Sequence, residues 1–219
     1  MCGILGQVDY LSTSAWNESK FKKALSLQKH RGPDDSGVVV GEDFIFGHRR
    51  LSIIDLDSHA KQPMTSSDGE VILVFNGEIY NYQELRKDLV KKGYSFSTKS
   101  DTEVLLYSYY EHGIECIQNF IGMFAFAIFD NRTQKTFIVR DRLGVKPLYY
   151  CKIKDTITFS SEIKSILELA DLDVALNIKA VSSYLSFRYP ILDDTFFDSI
   201  YSLPPAHYIE LTKGSFFIN

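Results

Sequence analysis

Apolar residues along this chain fall in short runs separated by turn signals, not in long helical stripes. Ile4–Val8, Gly37–Val40, Phe44–Gly47, Val71–Phe75, Met123–Phe129, Thr136–Val139, Leu148–Cys151 and Thr156–Phe159 are rich in Val, Ile, Phe and Tyr and have the length of strands. Asp130-Asn131-Arg132-Thr133 and Lys154-Asp155 separate neighbouring runs and predict antiparallel turns. Helical spacing appears between them. Asn17–Lys29 places Phe21, Ala24, Leu25 and Gln28 on one face. Asn81 with Glu84 reads as a capping box for a helix that closes at Lys91-Lys92-Gly93. Ser100 with Glu103 repeats that start for a helix reaching His112 and Gly113, and Glu162–Leu169 predicts another. Phe124 to Phe129 is apolar on successive residues, so both faces of that strand need cover. The pattern predicts sheets sandwiched between other layers. Beyond about residue 172 the character changes: Asn177–Leu185 reads as helix, Arg188–Asp194 as irregular, and Tyr208–Leu211 with Phe216–Ile218 as a hairpin across Lys213-Gly214.

Composition narrows the class. A chain of 219 residues with 45% hydrophobic and 24% charged side chains is a globular sequence, and its 14% aromatic content supplies a large interior. The net charge of -4 argues against nucleic acid as the main partner. Ile121–Phe129, the longest mostly apolar run, is about half the length of a membrane-spanning helix. The start MCGILGQVDY lacks the basic flank of a signal peptide, so neither membrane nor export is expected. Cys2, Cys116 and Cys151 are too far apart for a metal pair and form no disulfide framework, and the histidines are scattered; the expectation is a reduced, cytoplasmic protein without a metal site.

Candidate chemistry starts at Cys2. A small residue behind the initiator Met favours removal of Met1, which would expose an α-amine with a pKa of ~7.7–8.0 on the residue that carries the thiol. One residue then supplies nucleophile and base; taken alone, Cys2 reads more readily as a small buried hydrophobe. Arg49 and Arg50 stand beside a run that needs burial, and an arginine fork suits a carboxylate. Asn76-Gly77 offers a side-chain amide next to a glycine N–H, a pair of donors for an oxyanion, although Asn-Gly is more often an ordinary turn. Asp101 suits a substrate ammonium, or serves only the helix dipole.

In order along the chain, MCGILG, RGPDDSG, HRRLSIIDL, FNGEIYNYQELR, SDTEVLLYSYYEHG, GMFAFAIFD, RDRLGVKPLYY and FSSEIKSIL resemble the glutaminase domain of asparagine synthetases of the B type, class II glutamine amidotransferases with an N-terminal nucleophile. The resemblance implies an α+β fold of four layers, αββα, with two antiparallel sheets between helices. It makes Cys2 the nucleophile, Asn76 and Gly77 the oxyanion donors, and Arg50, Ile54, Glu78 and Asp101 the contacts for L-glutamine. Asp141 and Arg142 read as an ion pair within the framework. Residues 1–171 are expected to form the amidotransferase domain. Residues 172–219 would form its C-terminal part, leading towards an absent synthetase domain. The Ser-Gly-Gly-x-Asp-Ser phosphate loop of that domain is not in this sequence, so ATP and Mg2+ belong to the missing part and the glutaminase step needs no cofactor. A homodimer is a further possibility the resemblance raises. Two alternatives stand beside it: a domain that donates ammonia to another acceptor, such as a sugar or cell-surface precursor, and a glutamine-binding module without turnover.

Overall fold

A computed structural model describes the chain except residues 10, 12–14, 53–59, 171, 173 and 192. Among the described residues, twelve strands form two six-stranded antiparallel sheets. The first sheet has the order β10-β8-β9-β1-β3-β2, built from β10 (Tyr201–Ser202), β8 (Tyr149–Ile153), β9 (Thr156–Ser160), β1 (Gly3–Asp9), β3 (Phe44–Arg50) and β2 (Asp35–Val40). The second has the order β12-β11-β7-β6-β5-β4, built from β12 (Ser215–Ile218), β11 (Tyr208–Thr212), β7 (Lys135–Arg140), β6 (Gly122–Asp130), β5 (Val71–Ile79) and β4 (Met64–Thr65). Helices α1 (Glu18–Ser26) and α4 (Ile163–Leu169) cover the first sheet; α2 (Tyr82–Lys91) and α3 (Asp101–His112) cover the second. α5 (Ile178–Phe187) follows α4, and a 3₁₀ segment, Gly113–Asn119, follows α3.

The alternation of side chains along each strand assigns them to layers. Ile4, Val8, Phe44 and Phe46 of the first sheet pack between the sheets against Ile72, Val74, Ala125, Ala127 and Phe129 of the second. The intervening Leu5 and Ile45 meet Phe21, Ala24 and Leu25 of α1. Phe124, Phe126 and Ile128 turn the other way, towards Leu105, Leu106 and Tyr109 of α3. From Met123 to Phe129, β6 is therefore apolar on successive residues because it lies between two cores, as its sequence requires.

The helix starts differ in chemistry. Ser100 accepts from the Glu103 N–H at 3.3 Å. Glu103 does not return to the Ser100 N–H; it takes the Ser97 and Thr98 N–H groups at 2.8 and 2.7 Å. Asn81 makes no side-chain cap, since its amide bridges the Asn119 carbonyl and the Ile121 N–H. The expected Asp141–Arg142 ion pair is absent among the described residues. Asp141 instead accepts four backbone N–H groups, from Phe124, Leu143, Val145 and Lys146, at 2.9–3.1 Å. Arg142 donates to the carbonyls of Phe120 and Gln118 at 2.6 and 2.9 Å.

Candidate active site

The same alternation that builds the core brings Cys2 to the open end of the inter-sheet layer. Gly3 faces α1, and a Cβ there would lie 2.5 Å from Gln28 Oε1, so only glycine lets Gln28 pack onto the strand. Gln28 then donates to the Ile4 carbonyl at 3.2 Å and to Ser160 and Ser165. The Ile4 N–H donates to Ser161 Oγ at 3.1 Å, and Arg31 Nε donates to the Cys2 carbonyl at 2.9 Å. Arg31 is itself held by Glu162 at 3.2 Å. The backbone on both sides of the thiol is thus pinned, while the side chain stays half-buried.

Cys2 Sγ accepts the Leu51 N–H at 3.4 Å and lies 3.7 Å from the Leu51 carbonyl. Burial pushes the thiol above its ordinary range, against the lowering effect of Leu51, the amino terminus and Arg50. A base is needed to ionise it. Met1 is present here and more than half exposed, beside the thiol on the cavity wall.

β3 supplies one arginine to the cavity and withholds the other. Gly47 faces α1, where a Cβ would meet Phe21 and Leu25. By alternation Arg49 shares that face, and its Nε donates to the Gly32 carbonyl at 3.0 Å. Arg50 shares the face of Phe44, Phe46 and His48, is buried, and lines the cavity.

The second sheet contributes the polar wall. Asn76 is 1% exposed and its Nδ2 has no hydrogen-bond partner among the described residues. Past the two residues of β4, one edge of β5 is open. The N–H groups of Phe75 and Ile79 on that edge go to Gln62 Oε1 at 2.6 Å and Asp101 Oδ2 at 3.0 Å. The Gly77 N–H points the same way, between them. Its neighbour across β6, Phe124, spends its own N–H and C=O on Asp141, so Gly77 and Phe124 form a pair without mutual hydrogen bonds. A side chain at Gly77 would come within 2.4 Å of the Met123 carbonyl. Two donors without a partner among the described residues, Asn76 Nδ2 and the Gly77 N–H, therefore belong to one cavity with the thiol.

That cavity, about 210 Å³, is lined by Cys2, Arg50, Asn76, Gly77, Glu78 and Asp101 among others. Drug-sized ligands occupy pockets of ~300–1,000 Å³; this one suits a single amino acid. Glu78 is exposed at its mouth. Asp101, at the first turn of α3, is buried; desolvation raises its carboxyl from 3.8 to about 6 despite the bonds from Ile79 and Thr102, and the Glu78 charge adds to the rise. A buried carboxyl held so high is poised to gain from an ammonium. Of the residues anticipated from sequence, the structure gathers Cys2, Arg50, Asn76, Gly77, Glu78 and Asp101 around one space; Ile54 lies outside the described residues. Leu51, Gln62, Thr102 and Lys146 also line it and were not anticipated. Gln62 acts on the backbone of a distant strand, and Leu51 acts through its own backbone, which leaves no local signature.

The chain is thus a four-layer αββα sandwich that brings a cysteine, just ahead of its first strand, to the end of the inter-sheet layer. Residues 1–218 match the glutamine amidotransferase domain, and the chain belongs to that family. Asparagine synthetase [glutamine-hydrolyzing] 3 of Bacillus subtilis is 37% identical over 97% of this chain and 35% of its own length. Asparagine synthetase [glutamine-hydrolyzing] 1 of the same organism is 42% identical over 86% of this chain and 30% of its own length. The chain thus spans about a third of these relatives. Glutamine phosphoribosylpyrophosphate amidotransferase from B. subtilis superposes with a TM-score of 0.73 at 18% identity, covering 100% of this chain and 49% of that one, which shows the shared fold.

Proposed function

We propose that this domain hydrolyses L-glutamine to glutamate and ammonia through a thioester on Cys2. The reading rests on one observation above the rest: Asn76 keeps a buried donor without a partner, beside the open Gly77 N–H, in the cavity that holds the thiol. An unsatisfied buried donor costs of order 1–3 kcal/mol, and a tetrahedral oxyanion would relieve it.

After removal of Met1, the α-amine of Cys2 takes the thiol proton and the thiolate attacks the side-chain carboxamide carbon of glutamine. The carbonyl electron pair moves onto oxygen, which accepts from Asn76 and Gly77. On collapse, the ammonium of Cys2 returns its proton to the departing nitrogen, so ammonia leaves and a γ-glutamyl thioester remains. The amine then deprotonates water for the second attack, and glutamate departs as the thiol is restored. Nucleophile, base and donors are protein groups, so no cofactor enters. Arg50 would pair with the α-carboxylate and Asp101 with the α-ammonium, which selects an amino acid over a simple amide.

In the longer protein, we take the ammonia to be consumed by a synthetase domain that amidates aspartate, as the names of the B. subtilis relatives suggest. Cys2→Ala tests the glutaminase step. Glutamate release should vanish while the circular dichroism spectrum and glutamine binding persist; undiminished turnover in that variant refutes the nucleophile. Wild-type protein that binds glutamine reversibly but never turns it over would instead mark a binding module.

A further inference from the structure

His48 is fully buried on β3, facing the second sheet, and takes no part in the steps above. Its Nε2 lies 3.1 Å from the Phe75 carbonyl. A carbonyl only accepts, so Nε2 carries the proton and Nδ1 is a bare acceptor, which has no partner among the described residues. Phe75 immediately precedes Asn76, on the edge of β5 that β4 leaves uncovered. Both of its edge-facing backbone groups are bound by side chains: the carbonyl by His48, and the N–H by Gln62 at 2.6 Å. Gln62 is tied in turn to Thr102, beside Asp101, at 3.4 Å. These two side chains do the work of the missing strand residue. Gln62 thus holds the peptide between Val74 and Phe75, and His48 the next one, which joins Phe75 to Asn76; rotation about the ends of that second peptide would swing both the Asn76 amide and the following Gly77 N–H.

We infer that His48 is a positioning residue: by holding the Phe75 carbonyl against the first sheet, it fixes the two oxyanion donors relative to Cys2, which hangs from that sheet. The inference rests on the assignment of Asn76 and Gly77 as those donors. Burial drives the imidazole down to about 3, so the ring stays neutral and its one N–H remains committed to Phe75 throughout the working range of pH. A buried ring that leaves Nδ1 unsatisfied is not explained by stability alone.

The test compares His48→Met, which has no donor, with His48→Gln, which can still offer an N–H to Phe75. In His48→Met, kcat for glutamine should fall by roughly tenfold or more while KM moves by less than about threefold, and His48→Gln should recover most of the loss. Affinity is then measured for glutamate and for glutamate γ-semialdehyde, whose adduct with Cys2 places an oxygen on the oxyanion donors. His48→Met should weaken the semialdehyde and leave glutamate unchanged. Equal weakening of both ligands, or unchanged kcat, overturns the positioning role. A wild-type enzyme that binds the semialdehyde no better than glutamate instead removes the oxyanion assignment, and the inference with it. If His48→Met does not fold, nitrogen-15 NMR of the wild-type imidazole still decides: the proton on Nε2 supports the inference, and the proton on Nδ1 ends it.

Discussion

At the scale of single residues, the site is built from groups whose hydrogen-bonding or charge is left incomplete by the fold. Asn76 has a buried Nδ2 without a partner among the described residues, and Asp101 a buried carboxyl raised to about 6. Asn76→Ala should lower kcat by roughly 10²–10³ with little change in KM, because the donor is used by the transition state; steady-state kinetics of glutamine hydrolysis checks this. For Asp101 the sign follows from its raised value. The native state holds the proton more tightly than the unfolded chain, so the charge weakens the fold progressively from about pH 4 to pH 6 and fully above that. Asp101→Asn should therefore stabilise the unliganded domain by on the order of 2–3 kcal/mol at neutral pH, an advantage that fades towards pH 4. The same substitution should cripple glutamine binding. In the wild type, KM should rise as pH falls below about 6, when Asp101 takes up a proton and can no longer pair with an ammonium. Denaturant melts and pH profiles of the two proteins measure both effects.

At the scale of elements, what could be read from sequence divides by the range of the interactions involved. β6 was legible because two cores leave no polar position between Met123 and Phe129. The start of α3 was legible because Ser100 caps it locally, which also placed Asp101. β4 and β10, two residues each, are too short to show a period. Asn81 looked like a cap, yet tertiary partners at Asn119 and Ile121 won its amide. His48 and Gln62 were invisible as site residues because each acts on the backbone of another strand. The pairing expected between Asp141 and Arg142 failed for a related reason: four N–H groups already fill the carboxylate, shaping the turn that carries Lys146 to the cavity. Asp141→Ala should strip those bonds and cost about 3 kcal/mol or more. Chemical denaturation should show that loss, and activity should fall with it because β6 backs the Asn76–Gly77 strand.

The whole molecule is a rigid frame that holds chemistry from two sheets at one end of their shared core. Cys2 and Arg50 hang from one sheet, Asn76 and Gly77 from the other, and Phe46, tilted against Phe44 and edge-on to Phe159, fills the space behind them. Phe46→Ala should cost roughly 3–5 kcal/mol in unfolding free energy. The most direct test of the account is mass spectrometry of the active protein after treatment with 6-diazo-5-oxo-norleucine. The intact mass should show that Met1 is gone, and peptide mapping should place a single adduct on Cys2 at the new amino terminus, in proportion to lost glutaminase activity. Full activity with Met1 retained, or inactivation with the label on another residue, would contradict it.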